Sequence, residues 1–203
     1  MAAYYSEVTS DARARPGRPR DAEKDLAVLG AARRLLAEVG YQQTTVVAIA
    51  RRAGVSAPAI YRRWPSREAL LEEAVHGPGG HPLPVPTGDL RADLGVWVRI
   101  FLARAASPAA RAGVPGLLAD SQTEEARRRL LAIGAPVRAA FAELLEHAFT
   151  RGELTQRADP DVLFEILSGT TTFHALVRGG DEQDGFADAL AEALYVIAAH
   201  RET

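Results

Sequence analysis

The chain has 203 residues, of which 47% are hydrophobic and 25% are charged, a balance typical of globular proteins. It contains no cysteine, which excludes disulfide frameworks, thiol nucleophiles and cysteine-based metal centres. Because no apolar run approaches the ~20 residues of a membrane helix, and because the N-terminus lacks a signal-peptide core, we expect a cytoplasmic protein without a membrane partner.

The net charge of −2 conceals an uneven distribution of charge along the chain. Residues 1–67 contain 12 Lys and Arg against 6 Asp and Glu, which gives +6, and residues 68–203 contain 12 against 20, which gives −8. A basic segment followed by an acidic remainder indicates that the N-terminal third binds a polyanion. Chance segregation of solvated charges produces the same pattern.

The N-terminal third predicts a flexible basic arm followed by four helices. Residues 1–20 form the arm, and apolar residues three and four positions apart predict a first helix over 21–39. Residues with short polar side chains mark the predicted helix starts, with Thr44 or Thr45, Ser56 and Ser66 as N-terminal caps. Glycines mark predicted helix ends, at Gly40 and Gly54. The fourth helix is predicted over 66–75.

A loop at 77–88 separates this region from the rest of the chain. It contains four prolines and four glycines and cannot continue a helix, so the sequence predicts two domains, 21–76 and 89–203. The second domain shows helical spacing and no alternating strand pattern. Its predicted helices are a segment from 89, then 113–119, 123–151 with an interruption near Gly134 and Pro136, 159–178 and 186–199.

The spacing of three residues within 44–67 is typical of a helix-turn-helix motif. Ala50 is small enough to lie where two helices cross, Gly54 tolerates the positive φ of a sharp turn, and Ile60 closes the core from the second helix. An ordinary helical hairpin satisfies the same spacing. In a DNA-binding motif, the second helix would enter the major groove with its N-terminal residues against the bases.

These residues resemble the N-terminal domain of the tetracycline-repressor (TetR) family. The resemblance covers about residues 21–76 and lies in the pattern Gly40-Tyr41-x-x-Thr44-Thr45-Val46-x-x-Ile49-Ala50-x-x-Ala53-Gly54-Val55-Ser56-x-x-x-Ile60-Tyr61-x-x-Trp64-x-Ser66-Arg67-x-x-Leu70. It implies an all-α fold, in which a three-helix helix-turn-helix domain is joined by a fourth helix to a larger effector-binding and dimerisation domain. It also implies repression that a small ligand relieves.

The resemblance assigns DNA contacts to two groups of residues. Those that fall where the family touches phosphates are Thr44, Thr45, Tyr61, Arg63 and Arg67. Those that fall where it reads bases are Ser56, Ala57, Pro58, Ala59 and Arg62. Arg63 stands where the family often has an aromatic residue or a histidine.

The arm upstream carries a second candidate DNA element. Gly17-Arg18-Pro19-Arg20 resembles the core of an AT-hook, in which an extended strand places arginines, here Arg18 and Arg20, in a narrow minor groove. A disordered basic tail that adds non-specific affinity fits the same four residues.

Polar residues on apolar helix stripes of the second domain predict a ligand site between helices. The candidate ligand residues are Trp97, Phe101, Arg104, Phe141, Leu145, Thr170 and His174. Core or dimer-interface packing explains the same residues. The last two predicted helices carry long apolar stripes, which include Leu190 and Leu194, and these predict a homodimer with a four-helix interface.

Catalytic and metal-binding patterns are absent from the sequence. The five histidines are scattered without a His-x-x-x-His pair, and neither Gly-x-Ser-x-Gly nor a phosphate-loop pattern occurs. We therefore expect no catalytic residue, metal or cofactor, and a protein that is not an enzyme.

The sequence as a whole predicts a ligand-responsive repressor. It would bind a palindromic operator in double-stranded DNA as a homodimer, and a small, largely apolar effector would release it. Two other functions stay open, namely a DNA-binding regulator without a small-molecule ligand and a helical enzyme on a regulator-like scaffold.

Overall fold

The structure, a computed structural model, describes residues 19–77, 83–178 and 183–200, and these residues form helices joined by short connections without any strand. The helices of the N-terminal half are α1 (Pro19–Gln43), α2 (Val46–Ala53), α3 (Ala57–Tyr61) and α4 (Arg67–His76). Those that follow are α5 (Leu90–Ala105), α6 (Pro108–Asp120), α7 (Glu124–Thr150), α8 (Pro160–Val177) and α9 (Gln183–Ala199). The prediction of an all-α fold is confirmed.

Short polar side chains begin the helices where the sequence predicts them. The hydroxyls of Thr45, Ser56 and Ser66 each accept a backbone N–H three residues on, at 3.2, 3.3 and 3.1 Å. Gly40, with φ of 76°, breaks the regular path of α1, and one further turn runs to Gln43. Local capping chemistry therefore fixes the boundaries in this half of the chain.

Two predicted boundaries in the second half are wrong. Helix α6 begins at Pro108 instead of 113, because Ser107 caps it and a proline in the first turn has no hydrogen bond to lose. Helix α7 is continuous through the interruption predicted near Gly134 and Pro136. It is held on both sides of Pro136, by α4 through its first half and by the core of α5, α8 and α9 through its second, and this packing offsets the local cost of the proline.

The helices build two hydrophobic cores. The first contains buried residues of α1 to α4 together with Ala109 and Leu117 of α6. The second lies between α5, α7, α8 and α9, and its centre is Phe141, whose ring meets those of Trp97 and Phe164 edge-on at centroid distances of 5.2 and 5.8 Å. Helix α6 therefore returns to pack on the N-terminal half.

Polar contacts join the two halves. The buried carboxylate of Glu72 on α4 accepts two hydrogen bonds from Arg129 on α7, at 3.0 and 3.1 Å. The hydroxyl of Tyr41, at the end of α1, donates to Asp120 at the end of α6. A displacement of α6 or α7 would therefore act on α1 and α4.

Candidate nucleic-acid interface and ligand cavity

The turn between α2 and α3 has the geometry that the spacing predicts. Gly54 has φ of 68° and ψ of 30°, a left-handed conformation that a residue with a Cβ adopts at a cost. The N–H of Val55 donates to the carbonyl of Ala50 at 3.0 Å, which closes the end of α2. Ala50 and Ile60 are buried at the crossing of the two helices. This arrangement is a helix-turn-helix.

The outer surface of α3 is exposed and built of small residues. Ser56 and Pro58 are exposed, and Ala57 and Ala59 are half-buried. Tyr61 at the end of α3 exposes 52% of its surface, and Arg62 follows it in an exposed position. Arg51 and Arg52 lie in the last turn of α2, and both are exposed. The motif therefore presents a small-residue helix start flanked by guanidinium groups.

Arg63 is exposed but has a partner within the protein. Its Nε lies 3.0 Å from a carboxylate oxygen of Asp25 on α1, and its guanidinium lies 5.5 Å from the ring centre of Trp64. The hydrogen bond to Asp25 is the largest influence on the Arg63 guanidinium and raises its pKa. A phosphate at Arg63 would therefore compete with the carboxylate of Asp25.

Thr44 and Arg67 serve the interior of the motif. The prediction that the Thr44 side chain touches phosphate is corrected, because this residue is fully buried and its hydroxyl donates to the carbonyl of Gly40 at 2.7 Å. The guanidinium of Arg67 donates to the carbonyls of Thr44 and Tyr41 and lies over the Tyr41 ring. Arg67 thus ties the start of α4 to the end of α1. Thr45, by contrast, is exposed.

The basic arm falls largely outside the described residues. Arg18 and the side chain of Arg20 lie outside them. Helix α1 already begins at Pro19, so the extended strand predicted for Gly17 to Arg20 cannot continue through Pro19 and Arg20.

A cavity of about 300 Å³ lies between α4, α5, α6, α7 and α8. We call it the apolar cavity. Most of its wall consists of apolar side chains, which include Phe101, Leu118, Leu130, Leu131, Val137 and Phe164. Its polar groups are those of His76, Arg104, Arg138, Ser168 and Thr172. Burial is the main influence on the His76 imidazole and lowers its pKa, although the carboxylate of Glu72 raises it.

Of the predicted ligand residues, the structure brings Phe101 and Arg104 to this cavity. Trp97, Phe141 and Leu145 do not line this cavity, and all three are buried in the second core. Helical spacing shows which residues share a face, but it does not show whether another helix covers that face.

Thr170 and His174 do not line the cavity either. The ring of His174 stacks on Phe186 of α9 at a centroid distance of 3.7 Å, on a different side of α8. The cavity stripe of α8 is Phe164, Ser168, Thr172 and Leu176, spaced by four residues. The sequence carried a signal for it, since Ser168 and Thr172 are hydroxyl residues at helical spacing on an apolar helix.

Helices α8 and α9 both leave large apolar side chains exposed, and we call these the exposed stripe. Phe173 and Val177 of α8 expose 66% and 64% of their surfaces, and Val196 and Ile197 of α9 are also exposed. Leu190 and Leu194 belong instead to the buried face of α9 that packs on α5, so their assignment to an intermolecular interface is corrected. The candidate interface is the exposed stripe.

Two further classes of site receive no support. The part of the chain that the structure describes contains no group of three or more histidine or carboxylate residues arranged to bind a metal ion. None of the described helices combines the length and the apolar character that crossing a membrane requires.

Comparison with known protein families covers both halves of the chain. Residues 28–74 match the family described as bacterial regulatory proteins, tetR family, and residues 84–194 match the tetracyclin repressor-like C-terminal domain. The HTH-type transcriptional regulator YdeS of Bacillus subtilis is 31% identical over 84% of this chain and 87% of its own length. The DNA-binding transcriptional repressor TetR of Mycobacteroides abscessus is 28% identical over 88% of this chain and 95% of its own.

Solved structures show the same arrangement of helices. The TetR family transcription regulator SCO0332 superposes with a TM-score of 0.69 and 32% identity, over 85% of this chain and 97% of that one. The transcriptional regulator FadR from Bacillus subtilis, solved in complex with stearoyl-CoA, has a TM-score of 0.61 and 17% identity, over 87% and 99%. From the motif, the two family matches and these relatives, the chain belongs to the TetR family of helix-turn-helix transcription regulators.

Proposed function

We propose that this protein is a repressor that binds an operator in double-stranded DNA and leaves it when a small, largely apolar effector enters the apolar cavity. The N-terminal domain, 21–76, would read DNA, and the domain 89–203 would bind the effector and form the dimer. The observation that carries the proposal is the position of the cavity. Val75 and His76, at the end of α4, form part of its wall, and the same helix begins beside the reading motif.

The DNA-binding part of the proposal rests on the exposed surface of α2 and α3. Ser56 to Ala59 are small enough to let the helix approach base edges, and Arg62 would supply hydrogen bonds to a base. Tyr61, Thr45 and the N-terminal amides of α4 would position the motif on phosphates. Arg63 is retained as a phosphate contact that must first leave Asp25.

The dimer is proposed from the exposed stripe of α8 and α9. Apolar side chains as large as Phe173 are rarely left in water over two adjoining helices, and a symmetry mate would cover them in a four-helix arrangement. A dimer also presents two reading motifs to half-sites one helical turn of DNA, ~34–36 Å, or a multiple apart. Small changes in their separation would then release one half-site.

The release step requires that the effector binds the DNA-incompetent conformation more tightly. The Glu72–Arg129 pair connects α4 to α7 next to the cavity wall formed by Leu130 and Leu131. An effector that displaces α7 would therefore pull on α4. The structure of FadR from Bacillus subtilis in complex with stearoyl-CoA supports an apolar effector, because a protein of similar fold is seen there with a ligand that carries a long apolar chain.

The test is selection of binding sites from random DNA, followed by fluorescence anisotropy with the selected duplex. We expect a near-palindromic site and an affinity that falls by about 10³-fold or more between roughly 50 and 200 mM salt. Arg62→Ala should relax base preference by about 1–3 kcal/mol, whereas Tyr61→Ala should weaken all sequences alike. The control is Arg128→Ala, which changes an exposed arginine of α7. Binding that ignores both salt and these substitutions at α3 would contradict the proposal.

The dimer is tested by sedimentation of Phe173→Glu against the control Val85→Glu, which changes an exposed loop residue. We expect the first variant to be a monomer that loses operator binding and the second to behave as the unaltered protein. A monomeric unaltered protein at roughly micromolar concentration, a range in which stable homodimers stay associated, would rule out the interface.

A further inference from the structure

A second cavity, also of about 300 Å³, lies between α1, the end of α4, α5 and the start of α6. We call it the arginine cavity. Two guanidinium side chains line it, Arg33 from α1 and Arg104 from α5, together with Ser107 and small apolar residues. It therefore brings together a cation from each half of the molecule.

The two cavities adjoin. Val75, Arg104 and Ala110 line both of them, so the two spaces share this part of their wall. The lining differs between the two spaces, with two guanidinium groups in the arginine cavity and Phe101, Leu130 and Leu131 in the apolar cavity. A ligand that matches both spaces has a charged head and an apolar body.

The electrostatics of the arginine cavity favour an anion. Desolvation lowers the pKa of both guanidinium groups, and each remains charged at neutral pH. For Arg33, the carboxylate of Glu73 raises the pKa and the charge of Arg104 lowers it further. Two like charges in a partly desolvated space repel each other, and an anion between them would reverse that repulsion.

Both guanidinium groups also have contacts within the protein. The Nε of Arg33 donates to the carbonyl of Ala74 at 2.6 Å, and Arg104 makes an interaction of its own. A guanidinium carries five N–H donors in a rigid fork, so each arginine can bind a carboxylate in addition to the contacts that orient it. The contact with Ala74 holds the Arg33 guanidinium at the cavity wall.

We propose that the effector is an amphipathic anion, whose acidic head is bound between Arg33 and Arg104 and whose apolar body lies in the apolar cavity. This inference rests on the proposed function and names the chemical class of its effector. Arg33 belongs to a helix of the first core and Arg104 to a helix of the second. The head group would therefore contact both the DNA-binding half and the effector-binding half. Its contact with Arg33 would couple ligand binding directly to the position of α1.

The test uses decanoate and decan-1-ol, which share an apolar chain and differ in the charged head, in calorimetric titrations of the full chain without DNA. We expect decanoate to bind at least about tenfold more tightly than the alcohol, the effect of one charge-assisted hydrogen bond. Arg33→Met and Arg104→Met should each remove about that factor for decanoate and leave the alcohol unchanged. The matched control is Arg99→Met, since Arg99 is an exposed arginine of α5 that pairs with Asp188.

The apolar end is tested with Gly134→Leu. Gly134 lines the apolar cavity, and a Cβ added there meets no atom within 4 Å, so we expect the fold to tolerate a larger side chain that reduces the space. Both probes should lose affinity in this variant. Equal binding of acid and alcohol, binding of neither, or decanoate binding that survives both arginine substitutions would each overturn the proposal. Decanoate binding as expected without release of operator DNA would contradict the proposed function and leave the site assignment standing.

Discussion

The two halves of this molecule differ in how their functional surfaces are built. The helix-turn-helix is assembled from residues that are close in sequence, since Ala50, Gly54 and Ile60 lie within eleven residues. The helix caps, the turn at Gly54 and the crossing of the two helices all depend on side chains within this short segment. The apolar cavity is assembled from five helices that are distant in sequence, α4 to α8. A motif held together locally is readable from its residues, whereas a cavity depends on which helix covers which face.

The sharpest test of this difference is Phe141→Ala. Sequence periodicity made Phe141 a wall of the ligand site, but the structure buries it completely between Trp97 and Phe164. We expect this substitution to lower the free energy of unfolding by about 3–5 kcal/mol, because it removes a buried ring and leaves a cavity. Chemical denaturation measures the loss.

Leu118→Ala is the matched control for that experiment. Leu118 lines the apolar cavity and exposes 54% of its surface, so its truncation should change the free energy of unfolding by less than about 0.5 kcal/mol. Equal losses in the two variants would show that core and cavity wall have been assigned to the wrong residues.

The contact between the halves is tested at Glu72 and Arg129. Arg129→Met leaves the buried carboxylate of Glu72 without its guanidinium partner, and we expect a loss of about 3 kcal/mol in the free energy of unfolding. The double variant Glu72→Leu, Arg129→Met removes both charges and should recover most of that loss, since a buried pair is often replaceable by apolar groups. A double variant less stable than the single one would contradict this description of the pair.

Two glycines differ in the space around them, since one lies in close packing and the other faces open space. At Gly116, an added Cβ would overlap the Tyr41 ring, which Asp120 and Arg67 hold in place, so Gly116→Ala should destabilise the fold by about 1–3 kcal/mol. At Gly134 an added Cβ meets nothing, and Gly134→Ala should stabilise α7 by about 0.5–1 kcal/mol. Thermal unfolding of both variants checks the opposite signs, and a shared sign would argue against the packing of α6 on α1.

These comparisons show what the sequence could predict and why. Helix starts at Thr45, Ser56 and Ser66 were predictable because capping involves a side chain and an amide three residues apart. The continuity of α7 across Pro136 was not predictable, because it depends on the packing of α7 against α4 and the second core. Thr44 and Arg67 resemble DNA contacts by their positions in sequence, but the carbonyls of Thr44 and Tyr41 that Arg67 binds come within reach only when α4 packs on α1.

A small effect on stability is expected at Asp25. Its pair with Arg63 is exposed to solvent, so Asp25→Asn should change the free energy of unfolding by no more than about 1 kcal/mol. The same substitution frees Arg63 for phosphate and removes a negative charge near α3, so operator affinity should rise and its dependence on salt should steepen. Anisotropy titrations at two salt concentrations measure this, and a fall in affinity would show that Asp25 orients Arg63 for DNA.

The central claim, that occupation of the cavity and binding of DNA exclude each other through α4, is tested most directly by measuring reciprocity. The affinity for the selected operator is measured with and without decanoate, and the affinity for decanoate is measured with and without operator. Linkage requires that each ligand weakens the other by the same factor, and we expect about 5–150-fold in both directions. An affinity for decanoate that operator DNA leaves unchanged would contradict the account.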